Sequence, residues 1–238
     1  MAKKGKLRKR KRAERGEIKR PVNLRRYDQH CLVVCEDQKT EPVYFETFKD
    51  QFPKKTFYLR CIGTGRDPLG VVEQTVLQKQ KMEKELGREI DFVWAVFDKD
   101  DADENQTKID KFNAALKLAS ENKIEIAFSN EVFEVWLLLH FQKLNLATPI
   151  PRAKVYELLE NKIQKADSKS SFKYKHGDSE VIQQVVRLGD EKLAIERAKV
   201  LKSHFAKTED LLKRNPFTSV FELIELLRGL ADFYYFKS

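Results

Sequence analysis

The sequence predicts an open α/β sheet of mainly parallel strands, flanked by helices and followed by an α-helical region. Two patterns carry that expectation. Four short runs, His30–Cys35, Phe57–Ile62, Phe92–Phe97 and Ile124–Phe128, are almost wholly apolar, as strands covered on both faces must be. Helical periodicity fills the gaps between them, and strand–helix alternation of this length is the signature of a parallel sheet.

The first strand runs directly into Glu36, with a helix expected over Glu41–Gln51. The second ends at Gly63-Thr64-Gly65. Its following helix, Pro68–Leu86, has Asp67 as N-cap and Pro68 at the first helical position, with Leu69, Val72 and Val76 marking the buried stripe. The third strand ends in Asp98-Lys99-Asp100-Asp101 and precedes a helix over Asn105–Asn122. The fourth ends at Ser129-Asn130, before a helix over Glu131–Phe141. Residues 144–152 contain two prolines and no clear period, which reads as a connection. Beyond it only helices are expected: Ala153–Ile163, Ser179–Leu188, Asp190–Phe205 and Ser219–Tyr235. The last aligns Val220, Leu223, Ile224, Leu227 and Leu230 on one face. Three regions follow: a basic arm over 1–26, an α/β domain over 27–147, and a helical region over 148–238 packed on it.

Charge is segregated. Residues 1–26 hold thirteen Lys/Arg and two Glu, which leaves 33 basic and 35 acidic residues for the rest of the 238-residue chain. A like-charged block that includes Lys9, Arg10, Lys11 and Arg12 repels itself, so it is expected to be disordered when free and to bind nucleic acid through phosphates. A solubilising tail is the plainer alternative. No apolar run is long enough to span a membrane, and the N-terminus lacks the apolar core of a secretory signal. Cys31, Cys35 and Cys61 all sit in strand-like runs, which suits reduced thiols in a cytoplasm.

In open α/β sheets functional groups gather at the carboxyl ends of the strands. If the four strands are parallel, Glu36, Asp98 and Asp100 share one rim. Residues two apart on a strand face the same way, so Asp98 and Asp100 project together and Asp101 opposite. Such a hard-oxygen set suits Mg²⁺ or Mn²⁺, and a cation would relieve the repulsion among the acids. The alternative for each acid taken singly is a helix cap. The Gly63–Gly70 loop lacks the spacing of a nucleotide-binding P-loop and reads as a tight turn.

The string Val34-Cys35-Glu36-Asp37-Gln38-Lys39-Thr40-Glu41-Pro42-Val43-Tyr44-Phe45 resembles the opening motif of the RloB-like family. Trp94-Ala95-Val96-Phe97-Asp98-Lys99-Asp100, the run from Ser129 through Glu134-Val135-Trp136-Leu137-Leu138-Leu139-His140-Phe141, and Asn215-Pro216-Phe217-Thr218-Ser219-Val220 match that family in order, over about residues 28–230. The resemblance implies a Toprim-type core, the α/β module of topoisomerases, primases and overcoming-lysogenization-defect nucleases. In that module a Glu after the first strand and an Asp-x-Asp pair after a later one work with Mg²⁺. Glu36 takes the first role here and Asp98 and Asp100 the second. It further implies a place in restriction-linked, abortive-infection systems beside an ABC-like AAA ATPase. Asp37 departs from the pattern, since Toprim proteins usually carry Gly there. The added side chain alters the turn or adds a ligand.

Glu41 and Glu134 fall in family motifs, which makes them further metal ligands or an acid/base. Glu41 in the first turn of a helix also simply favours the helix dipole. Lys39 is placed to touch a scissile phosphate, with an ordinary exposed lysine as the alternative. His140 reads as a hydrogen-bonded core histidine, and Trp94 and Trp136 as core. The stretch around Lys173 and Lys175, with Phe172 and Tyr174 interleaved, offers charge and stacking to nucleic acid, or is a solvated loop. The expected function is a metal-dependent nuclease acting on DNA or RNA. The alternative is a non-catalytic subunit that binds nucleic acid or the ATPase.

Overall fold

The computed structural model describes residues 23–237 apart from Lys169. Within them lie strands β1 (Gln29–Cys35), β2 (Phe57–Gly63), β3 (Phe92–Asp98), β4 (Glu125–Asn130) and β5 (Phe217–Thr218). The helices are α1 (Thr40–Glu46), α2 (Pro68–Leu86), α3 (Gln106–Glu121), α4 (Glu134–Leu139), α5 (Arg152–Ala166), α6 (Glu180–Leu188), α7 (Glu191–His204) and α8 (Val220–Lys237). The sheet order is β2-β1-β3-β4-β5, with β1 to β4 parallel and β5 antiparallel to β4. Register aligns the carboxyl ends: Cys35 lies opposite both Gly63 and Val96, and Asp98 opposite Ser129. The loops that follow β1, β2 and β3 therefore share one rim.

Both faces of the sheet are covered, which is why its strands are apolar throughout. Cys31, Val33 and Cys35 of β1 face one core, and the intervening Leu32 and Val34 face the other, as a period of two requires. Helices α2 and α3 close the second core through Val71, Val72 and Phe112. The first is closed by α1, α4 and the C-terminal helices, with Phe45, Trp136, Leu137, Ile224 and Leu227 buried together. Helix α2 starts as expected: Asp67 accepts a hydrogen bond from Gly70 N at 2.9 Å, and Gly87 ends the helix at a φ of 75°.

Several elements differ from expectation. The helix expected over Glu41–Gln51 is the seven-residue α1, with a separate 3-10 turn at Lys49–Gln51. Thr47 Oγ1 donates to Tyr44 O, diverting a backbone acceptor at the point where α1 stops. The helix expected from Glu131 begins only at Glu134, because the preceding residues form a turn whose Phe133 N–H is taken by Asp98. The C-terminal region is not purely helical. Its β5 joins the sheet edge, with Ser219 N donating to Phe128 O at 2.8 Å and Ser129 Oγ paired with Thr218 Oγ1 at 3.1 Å. A two-residue strand is too short to leave a periodic pattern.

Lys9, Arg10, Lys11 and Arg12 of the basic arm lie outside the described residues. The last part of the expected arm is folded: Leu24–Arg26 form a 3-10 turn, Leu24 is buried, and Leu24 O lies 2.9 Å from His30 Nε2. Among the described residues no helix is long and apolar enough to cross a membrane.

Candidate active site

Glu36 leaves β1 as the chain turns toward α1, and two loops hold it. Its N–H donates to Val96 O at 2.9 Å, while Gly65 N donates to Glu36 O at 2.7 Å and Thr64 N to Cys35 O at 3.0 Å. Gly63 allows this approach: a Cβ there would stand 2.5 Å from Asp37 O and 2.6 Å from Gln38 Cα. The glycine run after β2 is thus a brace against the β1–α1 loop.

Asp98 is the last residue of β3. Its N–H donates to Glu36 Oε2 at 2.9 Å, and its Oδ2 accepts from Phe133 N at 2.8 Å. Its Oδ1 is shielded from solvent and has no hydrogen-bond partner. The strand stops there, so the pleat does not set the direction of Asp100. That residue sits in a turn at a φ of 47°, with its carboxylate 2.9 Å from Arg152 Nη1. The turn nonetheless brings Asp100 to the cleft that Glu36 and Asp98 line. Asp101 is held by Arg152 Nη2 at 3.2 Å and is not a helix cap, a role taken by Asn105 at α3.

Asp37 and Glu41 organise the start of α1. The Asp37 carboxylate accepts from Lys39 N and Thr40 N, at 3.2 and 2.9 Å, and Glu41 Oε2 accepts from Asp37 N at 3.0 Å. Each Asp37 oxygen thus accepts one backbone N–H at the start of α1, a helix-capping role, and the residue also lines the cleft described below. Partial burial opposes its ionisation, but the hydrogen bonds from Thr40, Lys39 and Gln38 outweigh this and lower its pKa. Glu134, in the first turn of α4, is buried and accepts from Tyr174 Oη at 2.5 Å.

The remaining acids are pushed the opposite way. Burial raises the Glu36 pKa from 4.5 to about 8, with the charges of Asp100, Asp67 and Asp37 adding to it and the Asp98 N–H opposing. Burial also raises Glu41, where the Glu36 charge adds, and Asp98, where Glu41 and Glu36 add. Glu134 is raised by burial against the hydrogen bond from Tyr174. Four carboxyl groups line one opening where burial disfavours their ionisation, a penalty that a cation placed among them would relieve.

The opening is a cleft of about 680 Å³ between the sheet rim and the C-terminal region. Lys39, Arg66, Arg152 and His176 line it together with the acids. Lys39 is exposed there, with its N–H committed to Asp37. Lys173 and Lys175 are exposed but do not line the cleft. Phe172, just before them, is buried in the core, so it offers no stacking surface, and Tyr174, between them, turns inward onto Glu134. His140 is a core residue, held neutral by burial at a pKa of about 3, with Nε2 3.5 Å from Tyr44 Oη. Trp94 and Trp136 are buried.

Sequence reasoning missed the wall of the cleft that the C-terminal region supplies. Arg152 opens α5 and pairs with Asp100 and Asp101. Tyr156 lies one turn later and stacks on Tyr174, with ring centroids 4.4 Å apart and planes 15° from parallel. The i, i+4 spacing of Arg152 and Tyr156 was the one available signal, and it says nothing about which surface the pair faces.

Among the described residues no three His, Cys, Asp or Glu side chains form a ready-made metal-holding group. The donor chemistry nevertheless fits a hard divalent cation. The acids are oxygen ligands, Asp98 keeps a shielded oxygen without a partner, and burial makes each anion costly unless a positive charge joins it.

In comparisons with known proteins, a family model described as RloB-like protein matches residues 31–227. No curated protein and no solved structure matches the chain.

Proposed function

The chain belongs to the RloB-like family, and on that footing we propose that it is a metal-dependent nuclease of the Toprim type, the effector of a cytoplasmic anti-phage abortive-infection system that works with a partner ATPase. The observation that carries this reading is the unpartnered Asp98 Oδ1 at a rim shared with Glu36 and Asp100. Glu36, Asp98 and Asp100 would hold Mg²⁺ or Mn²⁺, with Glu41 and Glu134 behind them. The ion would supply positive charge to a phosphodiester and acidify a water.

The chain's own groups account for the rest. Asp98 N–H fixes Glu36 in place, and with a single ion bound Glu36 would serve as the general base instead of as a ligand. Lys39 and Arg152, on the walls of the cleft, supply cations for the phosphates. The basic arm, through Lys9 to Arg12, adds sequence-independent attraction. Lys173 and Lys175, exposed outside the cleft, would extend that attraction.

One observation favours a second reading, a non-catalytic subunit binding nucleic acid or the ATPase: the acids do not already form a metal-holding group. The deciding experiment incubates the protein with plasmid, single-stranded DNA and total RNA in Mg²⁺, Mn²⁺ or chelator, alone and with the ATPase. Cleavage that needs the metal and disappears in Asp98→Ala supports the nuclease. Cleavage by Asp98→Ala equal to the parent rejects the site.

A further inference from the structure

The C-terminal wall of the cleft sets a cation and an aromatic ring beside the carboxylates. Arg152 and Tyr156 occupy adjacent turns of α5 and both line the cleft that Glu36, Asp98 and Asp100 line. Tyr156 is only partly buried, and its ring is held from behind. Tyr174 stacks on it at 4.4 Å, with its own hydroxyl on Glu134 at 2.5 Å and its N–H on Glu160 Oε2 at 2.7 Å. A half-exposed aromatic ring fixed by a second ring, one helical turn from an arginine, matches the two needs of an unpaired nucleotide. The base gains a π-face on which to stack, and the backbone gains a cation. Duplex bases are already stacked on each other and present no free face to such a ring. The cleft, at about 680 Å³, also has the size of a small-ligand pocket rather than of a groove for a double helix.

We infer that Tyr156 and Arg152 form a subsite for single-stranded nucleic acid, in which an unpaired base stacks on Tyr156 while Arg152 contacts its phosphate. The inference deepens the nuclease reading by naming the substrate class, and it rests on that reading only for the reaction, not for the binding. Arg152 has alternative partners at hand. It would leave Asp100 for the phosphate while Asp100 takes up the cation.

The test titrates the full-length protein, with Ca²⁺ present, into a short single-stranded oligonucleotide carrying one 2-aminopurine and into its duplex. The parent is expected to bind the single strand more tightly and to quench 2-aminopurine by stacking. Tyr156→Ala should lose the quench and weaken single-strand binding about 5- to 150-fold, the range expected for one stacked base, with duplex binding unchanged. Tyr156→Phe keeps the ring and should keep both signals. Arg152→Ala should weaken single-strand binding and leave duplex binding unchanged. Equal affinity of the parent for single strand and duplex, or full quenching by Tyr156→Ala, overturns the subsite. A loss of quenching in Tyr156→Phe also overturns it, since that assigns the effect to the hydroxyl or to folding. Absence of cleavage in the assays above overturns the nuclease and leaves these binding results standing.

Discussion

The backbone N–H of Asp98 donates to Glu36 Oε2 at 2.9 Å, so the ends of β3 and β1 are tied by the acid that one strand presents and the amide of the other. The bond positions Glu36 without using either oxygen of Asp98. It leaves Asp98 Oδ2 for Phe133 N and Oδ1 with no protein partner. Four expectations follow from this arrangement and its surroundings.

Asp98 can be separated into its structural and chemical parts. Asp98→Asn retains a carbonyl oxygen for Phe133 N–H, whereas Asp98→Ala leaves that donor unsatisfied at a cost of about 1–3 kcal/mol. Thermal denaturation should therefore show Asp98→Ala melting below the parent and Asp98→Asn near or above it, because a carboxyl resisting ionisation has been replaced by a neutral group. Both should lose metal-dependent cleavage by about 100-fold or more. Retained cleavage in Asp98→Asn would show that the carboxylate charge is not needed.

The acids should make stability fall with rising pH. The Glu36 pKa in the folded protein is raised from 4.5 to about 8, so the folded state holds a proton that the unfolded chain has released. The stabilisation is complete below about pH 4.5 and is lost as pH rises toward 8, by an amount on the order of a few kcal/mol. Buried neutral His140 acts oppositely below its ordinary 6.5, so the comparison is between the parent and Glu36→Gln, in which His140 cancels. In chelator the melting temperature of the parent should drop more steeply from pH 6.5 to 8 than that of Glu36→Gln. Mg²⁺ should restore the parent alone. Parallel curves would remove Glu36 from the coupled site.

The β1–α1 turn should be sensitive at both of its contacts. Gly63→Ala places a Cβ 2.5 Å from a backbone oxygen, and backbone cannot rotate aside, so a loss of about 1–3 kcal/mol is expected together with misplacement of Glu36. Asp37→Ala removes two backbone hydrogen bonds at the start of α1 and should cost about 0.5–2 kcal/mol. Denaturant unfolding measures both. An Asp37→Ala protein as stable as the parent would deny the capping role.

Tyr174 anchors the C-terminal wall to α4 through Glu134. Tyr174→Phe leaves a buried carboxyl oxygen without its donor and should lower stability by about 1–3 kcal/mol, read by chemical denaturation. Pairing it with Glu134→Ala, which removes the acceptor, in a double-mutant cycle should give a coupling above about 0.5 kcal/mol. A coupling of zero would mean that the wall is held by packing alone.

Much of the α/β part was legible because each strand is covered on both faces. Runs such as Leu32-Val33-Val34 and Val93-Trp94-Ala95-Val96 leave little choice but a buried strand, and Asp67-Pro68 and Gly87 mark the limits of α2 by local backbone chemistry. The fold was less legible where pairing is non-local. β5 exists because Thr218 and Ser219 find Ser129 and Phe128 about ninety residues away. No local pattern records such a meeting.

The site divides in the same way. Glu36, Asp98 and Asp100 could be singled out from the sequence because residues after parallel strands collect at one rim, and the family motif named the same three. A turn at positive φ, not the pleat of β3, carries Asp100 to the cleft. Thus the sequence by itself determined the alternation of strands and helices, the segregation of charge into the first residues, and the acids that end the strands, because all three depend on neighbours in the chain. Tertiary structure alone decided that Arg152 meets Asp100, that Tyr174 meets Glu134, and that Asp37 accepts backbone N–H groups of the β1–α1 turn. Those contacts depend on close approach in space, and for the first two the partners lie tens of residues apart, beyond any period a sequence can display.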